Sequence, residues 1–143
     1  MSEEVISTDG RTITETDLVF FSYFSGDWAY LHTDAVLAAK SPFKSRITHG
    51  YLTLSVSLGL VVRKTGIDPE RFIALRSIRN VNFYLPVRIG DTLHVDFTIE
   101  RTEKGGNRIE TTIRGRTINH RNETVMEFET VHLENKLAGD SSL

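Results

Sequence analysis

The spacing of apolar residues changes character along this chain, dividing it into a helical first part and a strand-rich second part. Thr14, with Asp17 three residues on, forms a capping pair ahead of Leu18, Val19, Phe20, Phe21, Tyr23 and Phe24. That run predicts a mostly buried helix ended by Gly26. Asp34 is placed to cap a second short helix, Ala35 to Lys40, which Ser41-Pro42 stops. A long helix is predicted from Thr48 or His49 through Leu52, Leu54, Val56, Leu58, Leu60, Val61 and Val62. Arg63 and Lys64 complement the dipole in its last turn, and Gly66 is its natural stop. A helix this apolar must be wrapped rather than laid on a surface, and a curved sheet would do that.

From Phe72 onward the pattern is that of strands. Phe72 to Leu85 reads as one long strand or as two, broken near Arg79-Asn80. Thr92 to Arg101 alternates, with Leu93, Val95, Phe97 and Ile99 on one face and Asp96, Thr98 and Glu100 on the other. Lys104-Gly105-Gly106-Asn107 has hairpin-turn chemistry. Arg108 to Ile118 and Thr124 to Leu133, joined at Asn119 to Asn122, complete an antiparallel set. Arg11 to Ile13 reads as a short edge strand, while residues 1–10 and 135–143 read as loose ends. Helices first and an antiparallel meander after them predict one α+β domain over residues 1–143, a sheet curled about one central helix.

Composition narrows the function classes. A formal charge of −2 gives no reason to expect nucleic acid or an anionic membrane surface as partner. With no cysteine there is no thiolate nucleophile, no disulfide and no Cys-based metal site. The N-terminus Met1-Ser2-Glu3-Glu4 lacks the features of a signal peptide, and no apolar run is long enough to span a bilayer, so a cytoplasmic location is expected. There is no Gly-rich phosphate loop and no G-x-S-x-G elbow. His94, His120 and His132 lie far apart and give no sign of a metal site, so no metal is expected.

The candidate chemistry lies between Ser25 and Gly50. Asp27 and His32 stand five residues apart, a spacing that suits neither helix neighbours nor one strand face. A loop that folds back would bring carboxylate and imidazole together as a proton-transfer pair. The same spacing fits a helix-ending Asp27 and a surface His32. Gly50, at the start of the long helix, would offer its backbone N–H to an oxygen that becomes negative, or would serve close helix packing. His49 reads as a positioning residue, hydrogen-bonded within the loop.

Three segments in order resemble the MaoC-like, (R)-specific enoyl-CoA hydratase/dehydratase family of the hot-dog fold. They are Gly26-Asp27 with His32-Thr33-Asp34, then Ile47-Thr48-His49-Gly50, then Asn82-Phe83-Tyr84-Leu85-Pro86-Val87-Arg88-Ile89-Gly90-Asp91. The resemblance covers about Thr12 to Leu133. It departs at Ala29-Tyr30, where the family has Asn-Pro, and at Leu58, where it often has a serine; Ser55 and Ser57 stand nearby.

The resemblance implies a hydro-lyase that adds water reversibly to a trans-2-enoyl thioester of coenzyme A or an acyl carrier, with no metal or redox cofactor. Asp27 would accept the water proton and His32 would orient the water and protonate C2, or the two would share one water. Gly50 would hold the thioester oxygen. Tyr30 would wall the acyl pocket, with Ser55 near it, and the acyl chain would lie along the central helix. Lys44 and Arg46, with Lys40 and Arg88, would meet carrier phosphates. Trp28 is expected in the core or at an interface. An uncovered sheet edge predicts a homodimer or dimer of dimers, with sites near the interface. Two rivals stand beside this reading. A hot-dog thioesterase would need a carboxylate on the central helix, and none lies between Gly50 and Val62. A non-catalytic acyl-binding or partner subunit would lack the Asp-His pair.

Overall fold

The computed structural model describes residues 3–140. Its elements run β1 (Ile6–Ser7), β2 (Arg11–Thr12), α1 (Glu15–Ser25), α2 (Tyr30–Thr33), α3 (Ala35–Lys40), α4 (Gly50–Thr65), β3 (Phe72–Phe83), β4 (Thr92–Gly105), β5 (Arg108–Asn119) and β6 (Thr124–Asn135). One antiparallel sheet takes the order β1-β4-β5-β6-β3, with β2 also on β4. It packs against α4, the α+β arrangement expected from the chain's pattern, to which the family resemblance gives the name hot-dog.

Local chemistry sets the helix ends where the sequence places them. The Thr14 hydroxyl accepts from the Asp17 N–H while the Asp17 carboxylate accepts from the Thr14 N–H, a complete capping box. Gly26 closes α1 in the left-handed region at φ 76°. The Asp34 carboxylate accepts from the N–H groups of Val36 and Leu37 to start α3. Gly106 and Asn107, both left-handed, turn β4 into β5 as a two-residue hairpin requires. The region from Phe72 is one strand, not two. Near its expected break the register shifts between Arg79 and Asn82, and Asn80 sits at φ 54°.

Leu52, Val56 and Leu60 recur every four residues along α4 and bury against the inner face of the sheet. Leu93, Val95 and Phe97 of β4 supply that face with Ile113, Met126 and Phe128. The buried hydroxyls of Ser57 and Thr117 meet at 2.8 Å across the seam. Gly115 is required there, since a Cβ would lie 2.2 Å from the Phe128 ring.

Three expectations are corrected. Helix α1 is not mostly buried: Leu18 and Ser22, one turn apart, are buried and Phe21 packs partly inward, while Tyr23 and Phe24 are 76% and 80% exposed. An apolar run identifies a helix but not how many of its faces are covered. Residues 1–10 are not all loose, because β1 pairs with β4 at Ile6↔Phe97 and Ser7↔Asp96. Residues 136–140 fold back as well. The Lys136 N–H donates to the Asn107 carbonyl, and Arg71 makes two bonds to Asp140 at 2.8 and 2.9 Å. The Arg71 guanidinium holds the Asp140 carboxyl at about 2, against an ordinary 3.8. The outer parts of the two expected ends, residues 1–2 and 141–143, lie outside the described residues.

Candidate active site

Asp27 sits in the turn between α1 and α2. Its N–H donates to Ser25 Oγ at 3.1 Å, and its Oδ1 accepts from the Ala29 N–H at 3.2 Å. His32 is carried by α2, a single turn that was expected only as a folded-back loop. His32 Nδ1 lies 2.8 Å from the Ile47 carbonyl. A carbonyl only accepts, so Nδ1 carries a proton, and Nε2 faces Asp27 Oδ2, 3.9 Å away. That separation leaves room for one water bridging carboxylate and imidazole. The five-residue spacing therefore does bring the acid and the imidazole together.

His49 completes the cluster and is fully buried. Its ring stacks on His32 with centroids 3.8 Å apart and meets Phe21 at 4.9 Å. Its Nε2 lies 3.2 Å from the Asp27 carbonyl and 3.1 Å from Ser22 Oγ. The carbonyl again fixes the tautomer, with the proton on Nε2. Burial first, and the neighbouring His32 second, push the His49 imidazole below its ordinary value, so it stays neutral at neutral pH. The expected positioning role gains specific contacts: His49 ties the Asp27 backbone to the ring face of His32. Ser22 was not singled out in the sequence, although it is the polar interruption of the apolar run from Leu18 to Phe24.

Segment 45–49 is pinned on both sides. The Ile47 N–H donates to the Leu31 carbonyl and the Thr48 N–H to the Val87 carbonyl. These bonds set the start of α4, whose first residue is Gly50. The Gly50 N–H has no intrahelical acceptor at that position and lies at the positive end of a 16-residue helix. A Cβ here would lie 3.1 Å from the Phe83 ring, so close packing also asks for glycine.

The remaining candidates are dispersed. Tyr30 opens α2 and is half exposed, as is Trp28, which packs edge-on to Tyr23 at 5.1 Å. Ser55 is exposed and donates to the Tyr51 carbonyl, roughly 140° around α4 from Gly50. Arg46 is engaged by both carboxylate oxygens of Glu15, at 2.8 and 2.5 Å. Arg88 donates to Ser45 Oγ, while Lys44 is exposed. Asp91 is structural: it accepts from the Arg88 N–H and from Arg121. Among the described residues, ligand-type atoms of Asp27, His32 and His49 fall within 4.8 Å of one another. His94, His120 and His132 are not part of that cluster. The His49 Nε2 proton, committed to a carbonyl, removes that atom as a metal ligand in this tautomer. No helix among the described residues is long and apolar enough to cross a membrane.

Comparison with known proteins places this chain among relatives. A family described as "MaoC like domain" matches residues 1–121. Protein MaoC of Klebsiella aerogenes is 43% identical over 94 residues, which are 66% of this chain but only 27% of that protein; the chain thus spans about a quarter of it. An (R)-specific enoyl-CoA hydratase of Rhodospirillum rubrum is 33% identical over 89 residues, 62% of this chain and 59% of that one. Among solved structures, a monoamine oxidase regulatory protein from Archaeoglobus superposes with a TM-score of 0.89 at 33% identity, covering 96% of this chain and 92% of the other.

Proposed function

The chain belongs to the MaoC-like domain family, and from that premise we propose that it is a hydro-lyase adding water reversibly to a trans-2-enoyl thioester, with (R) stereochemistry at C3. The observation that carries this reading is the approach of Asp27 Oδ2 to His32 Nε2 across 3.9 Å; in the proposed step the ring enters neutral, with Nε2 free to accept. One water held between them is aligned by both hydrogens, leaving its oxygen to attack C3. As the C3–O bond forms, an O–H bond of the water breaks and the dyad takes that proton. The electrons of the double bond move onto the thioester oxygen. The dyad then returns one proton to C2, the carbonyl re-forms, and the site ends as it began.

The Gly50 N–H is the proposed donor to the thioester oxygen while it is negative, aided by the dipole of α4. His49 keeps both members of the dyad in place from behind. The similarity to a relative named (R)-specific enoyl-CoA hydratase supports the substrate class. For the carrier phosphates the proposal rests on exposed Lys44 more than on Arg46, whose charge Glu15 already meets.

A homodimer is part of the same proposal. Strand β3 is a sheet edge, and exposed apolar residues lie on it (Ile73, Leu75, Ile78, Phe83), on α1 (Phe20, Tyr23, Phe24) and on α4 (Tyr51, Val62). A second copy would cover surface that one chain leaves to water. The name of the similar Archaeoglobus structure, a regulatory protein, supports a second reading as a non-catalytic subunit.

Crotonyl-CoA separates the two readings. The hydro-lyase should bleach the conjugated enoyl absorbance and yield the (R)-3-hydroxy product, and Asp27→Asn should lower kcat/KM by about 100-fold or more. No hydration by the wild-type chain would favour the binding subunit. Undiminished hydration by Asp27→Asn would move the chemistry elsewhere.

A further inference from the structure

A cavity of about 400 Å³ opens between the C-terminal half of α4 and the sheet. Its floor is made of buried residues, among them Val61, Ile113 and Thr130. Its rim is the connection from α4 to β3, where Gly66, Ile67 and Asp68 are exposed and Arg71 is half-buried. Residues 66–70 are all exposed, so burial holds none of them in place. Within the connection the Asp68 carbonyl accepts from the Arg71 and Phe72 N–H groups, and the Asp68 carboxylate accepts from the Glu70 N–H. Among the described residues, its hydrogen bonds to the rest of the fold beyond α4 run only to Asn135 and Asp140.

These two ties differ in kind. Asn135 ends β6 and donates to the carbonyls of Arg71 and Glu70. Asp140 stands on segment 136–140, beyond that strand, and accepts both arms of the Arg71 guanidinium. The segment arranges this carboxylate for its task. The Leu137 N–H donates to Asp140 Oδ2 at 3.0 Å, and the Asp140 N–H returns to the Leu137 carbonyl at 3.1 Å. Lys136 secures the base of the segment on Glu103 and on the Asn107 carbonyl. The Arg71 and Asp140 side chains are only 22% and 21% exposed, so salt screens them less than it screens an open surface pair.

We propose that segment 136–140 is a latch: Asp140 holds the Arg71 side chain across the rim, and release of that pair opens the cavity to solvent. Two parallel bonds fix the guanidinium in one orientation, so the closed rim has one position. Freed from Asp140, the Arg71 side chain recovers its rotamers and the exposed connection keeps a single tie, at Asn135. Acid is not the trigger. The Arg71 guanidinium keeps the Asp140 carboxyl at about 2, so mild acidity leaves the pair charged and shut. Salt competes with it, as does any anion that presents two oxygens to Arg71. The latch governs access to the cavity and stands independently of the hydro-lyase reading.

The chain has no cysteine, so one placed in the cavity reports its opening. Val61→Cys, close to isosteric in the floor, is labelled with iodoacetamide, and Val125→Cys, buried outside the cavity lining, serves as the reference. Added to Val61→Cys, either Asp140→Asn or Arg71→Gln should speed labelling about tenfold or more, and the two together should be no faster than one. Salt should speed labelling while Asp140 is present and change nothing once it is Asn. Labelling of Val125→Cys should stay slow throughout. An unchanged rate in Val61→Cys would overturn the latch. So would an equal rise in Val125→Cys, which would mean that the pair only stabilises the whole fold. Hydrogen exchange repeats the test without a core substitution. Asp140→Asn alone should speed exchange of the Arg71 and Phe72 N–H groups and spare the Thr48 N–H, and equal protection before and after would sink the proposal. No readout here involves turnover, so crotonyl-CoA decides the hydro-lyase reading separately.

Discussion

At the N-terminal end of α4 the His49 ring is enclosed on a face by His32, at its side by Phe21 and at Nε2 by Ser22 and the Asp27 carbonyl. At the other end of the same helix the His132 ring meets Phe72 edge-on and borders a cavity. Both imidazoles are held below their ordinary value by burial, so both are neutral. They differ in what surrounds them. The first end fixes the dyad through bonds at His49 Nε2 and His32 Nδ1, while His49 Nδ1 and Thr48 Oγ1 stay buried without a partner. The second leaves Thr111 Oγ1 and Glu134 Oε2 buried without a hydrogen-bond partner beside a cavity. One helix thus has a closely packed end at the dyad and a hollow end away from it.

The sharpest way to break this contrast is at the rigid end. His32→Ala should reduce crotonyl-CoA hydration by about two orders of magnitude or more. Its thermal midpoint should fall by only a few degrees, because the His32 side chain makes a single hydrogen bond, to Ile47. A collapse of the fold would mean that His32 is structural instead.

His49→Leu comes next. It strands the Asp27 carbonyl and Ser22, and should cost about 1–3 kcal/mol in urea unfolding. Its kcat should also fall while KM changes little, since the dyad loses its backing. A change in KM alone would argue that His49 touches substrate.

A gentler effect is the response to acid. Burial, then His32, lower the folded pKa of His49, and burial lowers that of His132 against an opposing influence from Glu134. An unfolded chain, whose histidines titrate near about 6.5, therefore binds more protons than the folded one in the window below that value. The stability contributed is fully present above about pH 6.5 and is lost as the pH falls toward the folded values. Urea midpoints should drop between about pH 7.5 and 5.5, and His132→Leu should make that drop shallower. A flat profile would contradict the neutral assignment of both rings.

Two hydroxyl deletions give the smallest effects and the most direct contrast. Ser22→Ala removes a partner of His49 and should cost about 1 kcal/mol. Thr111→Val removes a buried hydroxyl with no partner, so its stability should stay within about 0.5 kcal/mol of wild type or rise. Equal losses from the two would erase the difference between the ends of α4.

Much of this protein was decided within short stretches of chain. The Thr14–Asp17 capping box, the Asp34 cap, the span of α4 to Gly66, the alternation of β4 and the Gly106-Asn107 turn all involve groups a few residues apart. Their hydrogen bonds and periodicities are written locally. Asp27, His32, His49 and Gly50 were also legible, as residue types in a recognisable order. The structure alone decided that His49 stacks on His32, that His32 Nδ1 meets the Ile47 carbonyl, and that Ser22 reaches His49 across 27 residues. It alone left α1 half bare and collected Arg101, Thr111, His132 and Glu134 around one cavity. Those contacts join residues far apart in sequence. They form only after loops close and strands choose their register, and no pattern of neighbours encodes which distant partner arrives.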